Sequence, residues 1–190
     1  TENMVFTFYS KELDGIEEME PRWKRKQRLI CSDLRDAIGK IYVQKYFPKE
    51  SKNKMLELVN NLRKAFLIRL NNNSWMSNDT KENAIEKLNT MIFKIGYPDR
   101  WNDYSGLQIL DSFLYTGVEM SKFDALYGEH GLNKIGQPKD KTIWYMGPYV
   151  VNAYYNPTAN ENVFPAGILQ APLFNIEADD AINYGAIGAV

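Results

Sequence analysis

The stretch Val151-Asn-Ala-Tyr-Tyr-Asn-Pro-Thr-Ala-Asn-Glu-Asn-Val-Phe-Pro-Ala-Gly-Ile-Leu-Gln-Ala-Pro-Leu-Phe174 decides how the chain is read. Just before and into it, Tyr149 to Tyr155 is aromatic and β-branched, which suits a pleated strand. Asn156-Pro157-Thr158-Ala159-Asn160 is turn chemistry, because Pro fixes φ and Asn accepts turn conformations. Val163-Phe164 reads as a short return strand, stopped at Pro165, which has no N–H for a ladder. A β-hairpin with a five-residue turn is therefore expected.

Period-2 alternation puts Tyr149, Val151, Ala153 and Tyr155 on one face, and Val150, Asn152 and Tyr154 on the other. Asn152 is the polar residue of this run. Its side chain carries both an acceptor and a donor, so on an exposed edge it suits both halves of a peptide bond. Ala153 is small enough to let another backbone approach. Together they fit β-augmentation, in which an extended peptide joins a sheet edge. The plainer reading is an Asn at a strand end, hydrogen-bonded to its own neighbourhood.

Outward from this stretch the chain is helical. Trp23, Ile30, Leu34, Ile38, Ile41 and Tyr42 predict one helix from Pro21 to Phe47, ended by Pro48. Ser51 to Leu70 shows the clearest stripe, Met55, Leu58, Val59, Leu62, Phe66 and Leu70, with Ser51 as its cap. Ser77 caps a further helix whose stripe runs Ala84, Ile85, Leu88, Met91, Ile92 and Ile95, stopped by Gly96 and Pro98. A last helix is expected from Ser105 to about Tyr127. Val5 to Tyr9 fits a strand or a helix end. Gly128 to Lys141 is polar and bears Gly and Pro, so it reads as a crossing between two parts, 1–141 and 142–190.

Bulk properties exclude several classes. With 23 basic and 24 acidic residues, the charge gives no reason to expect nucleic acid. The basic run Arg22-Trp-Lys-Arg-Lys-Gln-Arg28 reads as a solvated helix face with Trp23 in the core. No apolar run is long enough for a membrane helix. The single cysteine, Cys31, rules out an internal disulfide framework and reads as an inert buried thiol. The single histidine, His130, reads as a surface loop residue, and one His with one distant Cys does not make a zinc site. There is no Gly-x-Ser-x-Gly elbow, and Gly185-Ala-Ile-Gly188 is too short for a phosphate loop.

Val151-Asn-Ala-Tyr-Tyr155 followed by Asn160-x-x-Val-Phe-Pro-Ala-Gly-Ile-Leu-Gln-x-Pro172 resembles the neprilysin and endothelin-converting-enzyme family of zinc metallopeptidases, nearest to its bacterial oligopeptidase O branch. Trp75-Met-Ser77, Thr80-Lys81 and Lys94-Ile-Gly-Tyr-Pro-Asp-Arg-Trp101 resemble the same family. Asn183-Tyr-Gly-Ala-Ile-Gly-Ala-Val190 resembles the lead-in to its zinc helix, His-Glu-x-x-His, so the chain is expected to be a middle piece ending just before that helix. The resemblance implies an α+β fold: a mainly α-helical cap-domain segment, 1–141, then an incomplete, hairpin-containing part of a thermolysin-like catalytic domain, 142–190. It implies that Asn152 and Ala153 hold substrate backbone. It further implies that Ile168, Leu173, Ala189 and Val190 line the pocket for the side chain just after the cut. Leu173 stands where the family commonly has Phe, and Asn162 where an aliphatic residue is usual, so the return strand is expected to be locally more exposed. Lack of disulfides suits a bacterial member.

Two functions follow. The preferred one is a fragment of a zinc-dependent metalloendopeptidase that cuts short peptides on the amino side of hydrophobic residues. Zinc would belong to the full-length parent and none to this chain; no catalytic residue is expected here. The partners would be peptide substrates and the missing C-terminal catalytic part. Val163 to Val190, being apolar, is expected to pack on that part and to expose a large apolar patch without it. The alternative is a non-catalytic helical interaction module with a structural hairpin.

Overall fold

A computed structural model describes residues 2–128 and 132–190. His130 lies outside the described residues, and so does its reading as a loop residue. The fold is α+β, with helices and one three-stranded sheet, in two compact units, Thr1–Arg35 and Asp36–Val190.

The first unit opens as a helix, α1 (Glu2–Val5), which runs on as a π-helical stretch, Phe6–Leu13. The aromatic run Val5 to Tyr9 is thus helical. Helix α2 (Arg22–Asp33) follows Pro21, whose missing N–H costs nothing at a helix start. The basic cluster is matched locally. Arg25 pairs with Glu2 at 3.0 Å, and Arg28 with Glu20 at 2.6 Å. Trp23 is 64% exposed and is not the core residue the sequence suggested.

The single helix expected over Pro21–Phe47 is two. It breaks at Leu34, whose φ of −111° and ψ of 41° leave helical geometry, and resumes as α3 (Arg35–Tyr46). Ser32 and Asp33, poor interior helix formers, precede the break. Helix α4 (Lys49–Asn71) starts two residues before the expected cap. Pro48 occupies the cap position, and Ser51 is buried inside the first turn, donating its backbone N–H to Pro48 O at 3.1 Å. Met55, Leu58, Val59 and Leu70 are buried as the stripe requires, while Phe66 is half exposed. Helix α5 (Asn78–Thr90) has the expected cap, Ser77 Oγ accepting from Thr80 N at 3.3 Å.

The stripe expected to continue that helix through Ile95 does not do so. Ile92–Gly96 is a strand, β1. Its β-branched and aromatic side chains fit a pleat, and its backbone finds a parallel partner in β3 (Glu161–Pro165). Strand β2 (Tyr154–Asn156) flanks β3 antiparallel, giving the order β1-β3-β2. Helix α6 (Phe113–Tyr127) begins eight residues later than expected; turns occupy 105–106 and 111–112.

The core gathers on α4. Val43 and Phe47 of α3 and its end, Met55, Leu58 and Val59 of α4, and Ile95 of β1 pack with Ala166, Ile168, Leu169, Phe174 and Ile187. Each such large apolar side chain contributes about 1.5–3 kcal/mol on burial. The apolar stretch Val163–Val190 is thus largely spent on this core, and where a large exposed patch was expected the exposed apolar residues are Ala171, Pro172, Ala181, Ile182, Ala189 and Val190, of which only Ile182 and Val190 are large. Gly96 ends β1 at φ 77°, where a Cβ would lie 2.6 Å from Phe47 Cε1, so only glycine fits.

Candidate functional site

The candidate site is built on the free edge of this small sheet. Strand β3 is central and paired on both edges: Val163 is fully buried, Ile92 to Gly96 pair along one edge, and Tyr154 to Asn156 along the other. Strand β2 therefore presents an outer edge with no ladder partner among the described residues. The expected strand from Tyr149 is shorter than its composition suggested. Residues 147–153 are turn and irregular backbone, and the ladder starts only at Tyr154. Period-2 faces hence do not apply to Tyr149–Ala153.

That irregular segment is nevertheless fixed. Gly167 N donates to Pro148 O at 2.7 Å, and Val150 N to Gly147 O at 3.0 Å. A Cβ on Gly167 would lie 2.6 Å from Val150 O and 2.7 Å from the Tyr149 carbonyl, so the absence of a side chain is what permits this backbone approach. Downstream, Tyr145 N donates to Tyr154 Oη at 3.2 Å.

Held this way, Asn152 is exposed and Ala153 half-buried. Asn152 Oδ1 accepts from Ala153 N at 2.8 Å. The plainer reading of Asn152, a bond within its own neighbourhood, is therefore realised in this state. Ala153, Ile168 and Leu173 pack on one apolar cluster with Ile187. Ala189 and Val190 lie outside that cluster and are exposed, in the single 3-10 turn Ile187–Ala189 and just after it. Ile187 N donates to Leu173 O at 3.1 Å, which brings the 173 and 187–190 segments side by side. Asn162 is half-buried, not exposed, and donates from Nδ2 to Met91 Sδ at 3.0 Å.

Two charged residues beside this site had no role in the sequence reading. Lys94 and Glu161 form a buried ion pair at 2.7 Å, their side chains 7% and 1% exposed. Lys94 Nζ also donates to Ile143 O at 2.6 Å, while the Glu161 Oε2 contact is ionic, without regular hydrogen-bond geometry. Charged residues inside the apolar runs Ile92–Ile95 and Glu161–Pro165 were the available signal. Asn160, expected in the hairpin turn, adopts φ 49°, a conformation Asn tolerates. Its Nδ2 donates to Lys87 O at 2.8 Å and Thr90 Oγ1 at 3.0 Å, tying the hairpin turn to the end of α5.

Electrostatic tethers surround the site. Asp140 accepts from Thr142 Oγ1 at 2.6 Å and from Thr142 N at 2.8 Å, and these bonds hold its carboxyl below the usual aspartate range. A hydrogen bond to Asp180 raises the Lys54 ammonium, joining α4 to the short helix α7 (Asp180–Gly185). Among the described residues no three His, Cys, Asp or Glu side chains gather closely enough to hold a metal ion.

Against known proteins, residues 1–98 and residues 152–190 each match models of peptidase family M13. The chain belongs to peptidase family M13. It is 41% identical over 189 residues to Neprilysin-11 of Caenorhabditis elegans, covering 96% of this chain and 22% of that protein. It is 37% identical over 183 residues to a neutral endopeptidase of Lactococcus lactis, covering 96% of this chain and 29% of that one. Among solved structures, the Mycobacterium tuberculosis zinc metalloprotease ZMP1 in its open state aligns with a TM-score of 0.84 and 44% identity, over 97% of this chain and 28% of that one. The crystal structure of PEPO from Lactobacillus rhamnosis aligns with a TM-score of 0.84 and 34% identity, over 96% of this chain and 29% of its own. This M13 chain therefore spans less than a third of the relatives it matches.

Proposed function

We propose that this M13 chain works as part of a zinc-dependent metalloendopeptidase that cuts short peptides on the amino side of hydrophobic residues. In this reading 1–141 is mostly helical cap with its connections, β1 reaching across to the sheet, and 142–190 begins the catalytic domain. Zinc and the catalytic groups belong to the rest of the parent, this chain holding none. Asn152 and Ala153 hold substrate backbone; Ile168, Leu173, Ala189 and Val190 line the pocket for the side chain after the cut.

One observation carries the reading: the second family match begins at Asn152 and runs to Val190, so it contains all six of these residues. The free edge of β2 supports it, since an extended peptide added there gains main-chain hydrogen bonds. The local bond from Ala153 N to Asn152 Oδ1 exchanges for bonds to substrate when the Asn152 side chain rotates.

The test is Asn152→Ala in a protein of the relatives' length. It removes one or two hydrogen bonds to substrate, each worth about 0.5–1.5 kcal/mol, rising to about 3 where a partner is left buried and unpaired. The kcat/KM should fall about tenfold to a hundredfold on every peptide, with zinc content and melting temperature unchanged. Unchanged kcat/KM on several peptides would return Asn152 to its plain role as a local turn residue. A parent with no peptidase activity at all would favour the non-catalytic helical interaction module.

A further inference from the structure

Asn183 is 2% exposed, on a helix of only six residues. A buried amide needs partners on both its ends. Asn183 finds both on one residue. Asn175 N donates to Asn183 Oδ1 at 3.0 Å, and Asn183 Nδ2 donates to Asn175 O at 2.9 Å. The side chain thus imitates a strand neighbour, closing a two-bond ring with the backbone of Asn175. A third bond, Ile187 N to Leu173 O at 3.1 Å, lies on the far side of α7. Segment 173–175 is therefore stitched at both ends to segment 183–187. Phe174, between the stitches, and Ile187, at one of them, are core residues, which resists sliding of one segment past the other.

We infer that Asn183 is a positioning residue for specificity: it sets the spacing between Leu173 and the Ala189–Val190 end, and thereby the width of the pocket between them. This rests on the functional reading above. Leu173 carries one stitch on its own carbonyl and lies two residues before Asn175, which carries the Asn183 pair, while Ala189 lies two residues after Ile187, so both walls sit within two residues of a stitch. No shape change of the same hydrophobic volume replaces the pair, because a β-branched or aliphatic residue leaves Asn175 N and O without partners. Asn183 touches no substrate in this scheme; it acts through the two walls.

The experiment compares wild type with Asn183→Ala and the near-isosteric Asn183→Asp in a protein of the relatives' length. Asn183→Asp keeps the acceptor for Asn175 N but sets an acceptor against Asn175 O. The readout is the ratio of kcat/KM for peptides with Phe against those with Ala after the cut. Pocket fit of this kind discriminates by about tenfold or more, and the ratio should fall by about that factor in both variants. Zinc content should be unchanged. The effect on the ratio should be non-additive with Leu173→Ala, since both alter the Leu173 wall. Equal loss on all peptides, or an unchanged ratio, overturns the inference and leaves Asn183 a structural residue. If Asn183→Ala does not fold, the Asp variant decides; failure of both to fold assigns Asn183 to folding alone and also overturns it. A wild type that cleaves no peptide sinks the functional reading and this inference with it. A wild type whose preference survives in the variants sinks the inference alone.

Discussion

Strand β3 and the segment Tyr149–Ala153 have similar composition and opposite fates. Each carries valine, an aromatic residue and an asparagine. Strand β3 has a partner on each edge and a fully buried valine at its centre. Tyr149–Ala153 has no ladder, and its Val151 is 73% exposed. Propensity is therefore permissive only; a strand forms where a backbone neighbour exists to satisfy its N–H and C=O groups. The segment left without a neighbour is the one that carries Asn152. It is held instead by the backbone approach of Gly167 and by the bond from Val150 N to Gly147 O.

The largest way to break this contrast is to attack the interior of β3. Lys94→Ala leaves the Glu161 carboxylate buried without its counter-charge, a loss of about 3–5 kcal/mol. Chemical denaturation should show that drop, and pairing Lys94→Met with Glu161→Leu should recover most of it, because both charges are then gone. A drop below about 1 kcal/mol for Lys94→Ala would mean the pair is wet and β3 is not the anchor described.

Gly167→Ala tests the other member. The new methyl would meet backbone atoms of Tyr149 and Val150 at 2.6–2.7 Å, and backbone cannot turn aside as a flexible side chain can. A cost of about 1–3 kcal/mol is expected, as for overpacking. Amide exchange should rise at Val150, whose N–H bonds to Gly147, and stay low along β3. Uniform loss of protection across both regions would show that they are one cooperative unit.

How much of this was legible follows the same division. The stripe of α4, the Ser77 cap, the Asn156–Asn160 turn and the return strand are all set by residues near one another, and all were readable. The strand β1 was not, because Met91, Ile92 and Ile95 continue a helical spacing as well as they fill a pleat, and the deciding partner, β3, is distant in sequence. The break at Leu34 and the late start of α6 leave no mark in the apolar periodicity. At the site, Asn152 and Ala153 stood out as a polar and a small residue in an apolar run. Asn183 did not, because a lone Asn in a short helix gives no sign that both ends of its amide are buried on one backbone residue.

The smallest predicted effect concerns the approach to the free segment. Asp140 anchors the loop that leads into it, through Thr142 and through Arg100 Nη2 at 3.1 Å. The Thr142 bonds favour the charged carboxylate, so its folded pKa lies below the ordinary 3.8. The native state then binds fewer protons than the unfolded one. The carboxylate therefore stabilises fully above the ordinary aspartate range, and that contribution is lost as pH falls through the lowered folded value. Partial exposure screens it, which limits the cost of Asp140→Asn to less than about 1 kcal/mol near neutrality. The stability gap between wild type and variant should stand constant from neutral pH down to the ordinary aspartate value, and close below it. If the tether matters to the free segment, exchange at Thr142 and Val150 should rise in the variant while that of Val163 does not. A gap that persists undiminished in strong acid would place the effect in the lost shape of the turn, not in the charge, and would leave Tyr149–Ala153 dependent on Gly167 alone.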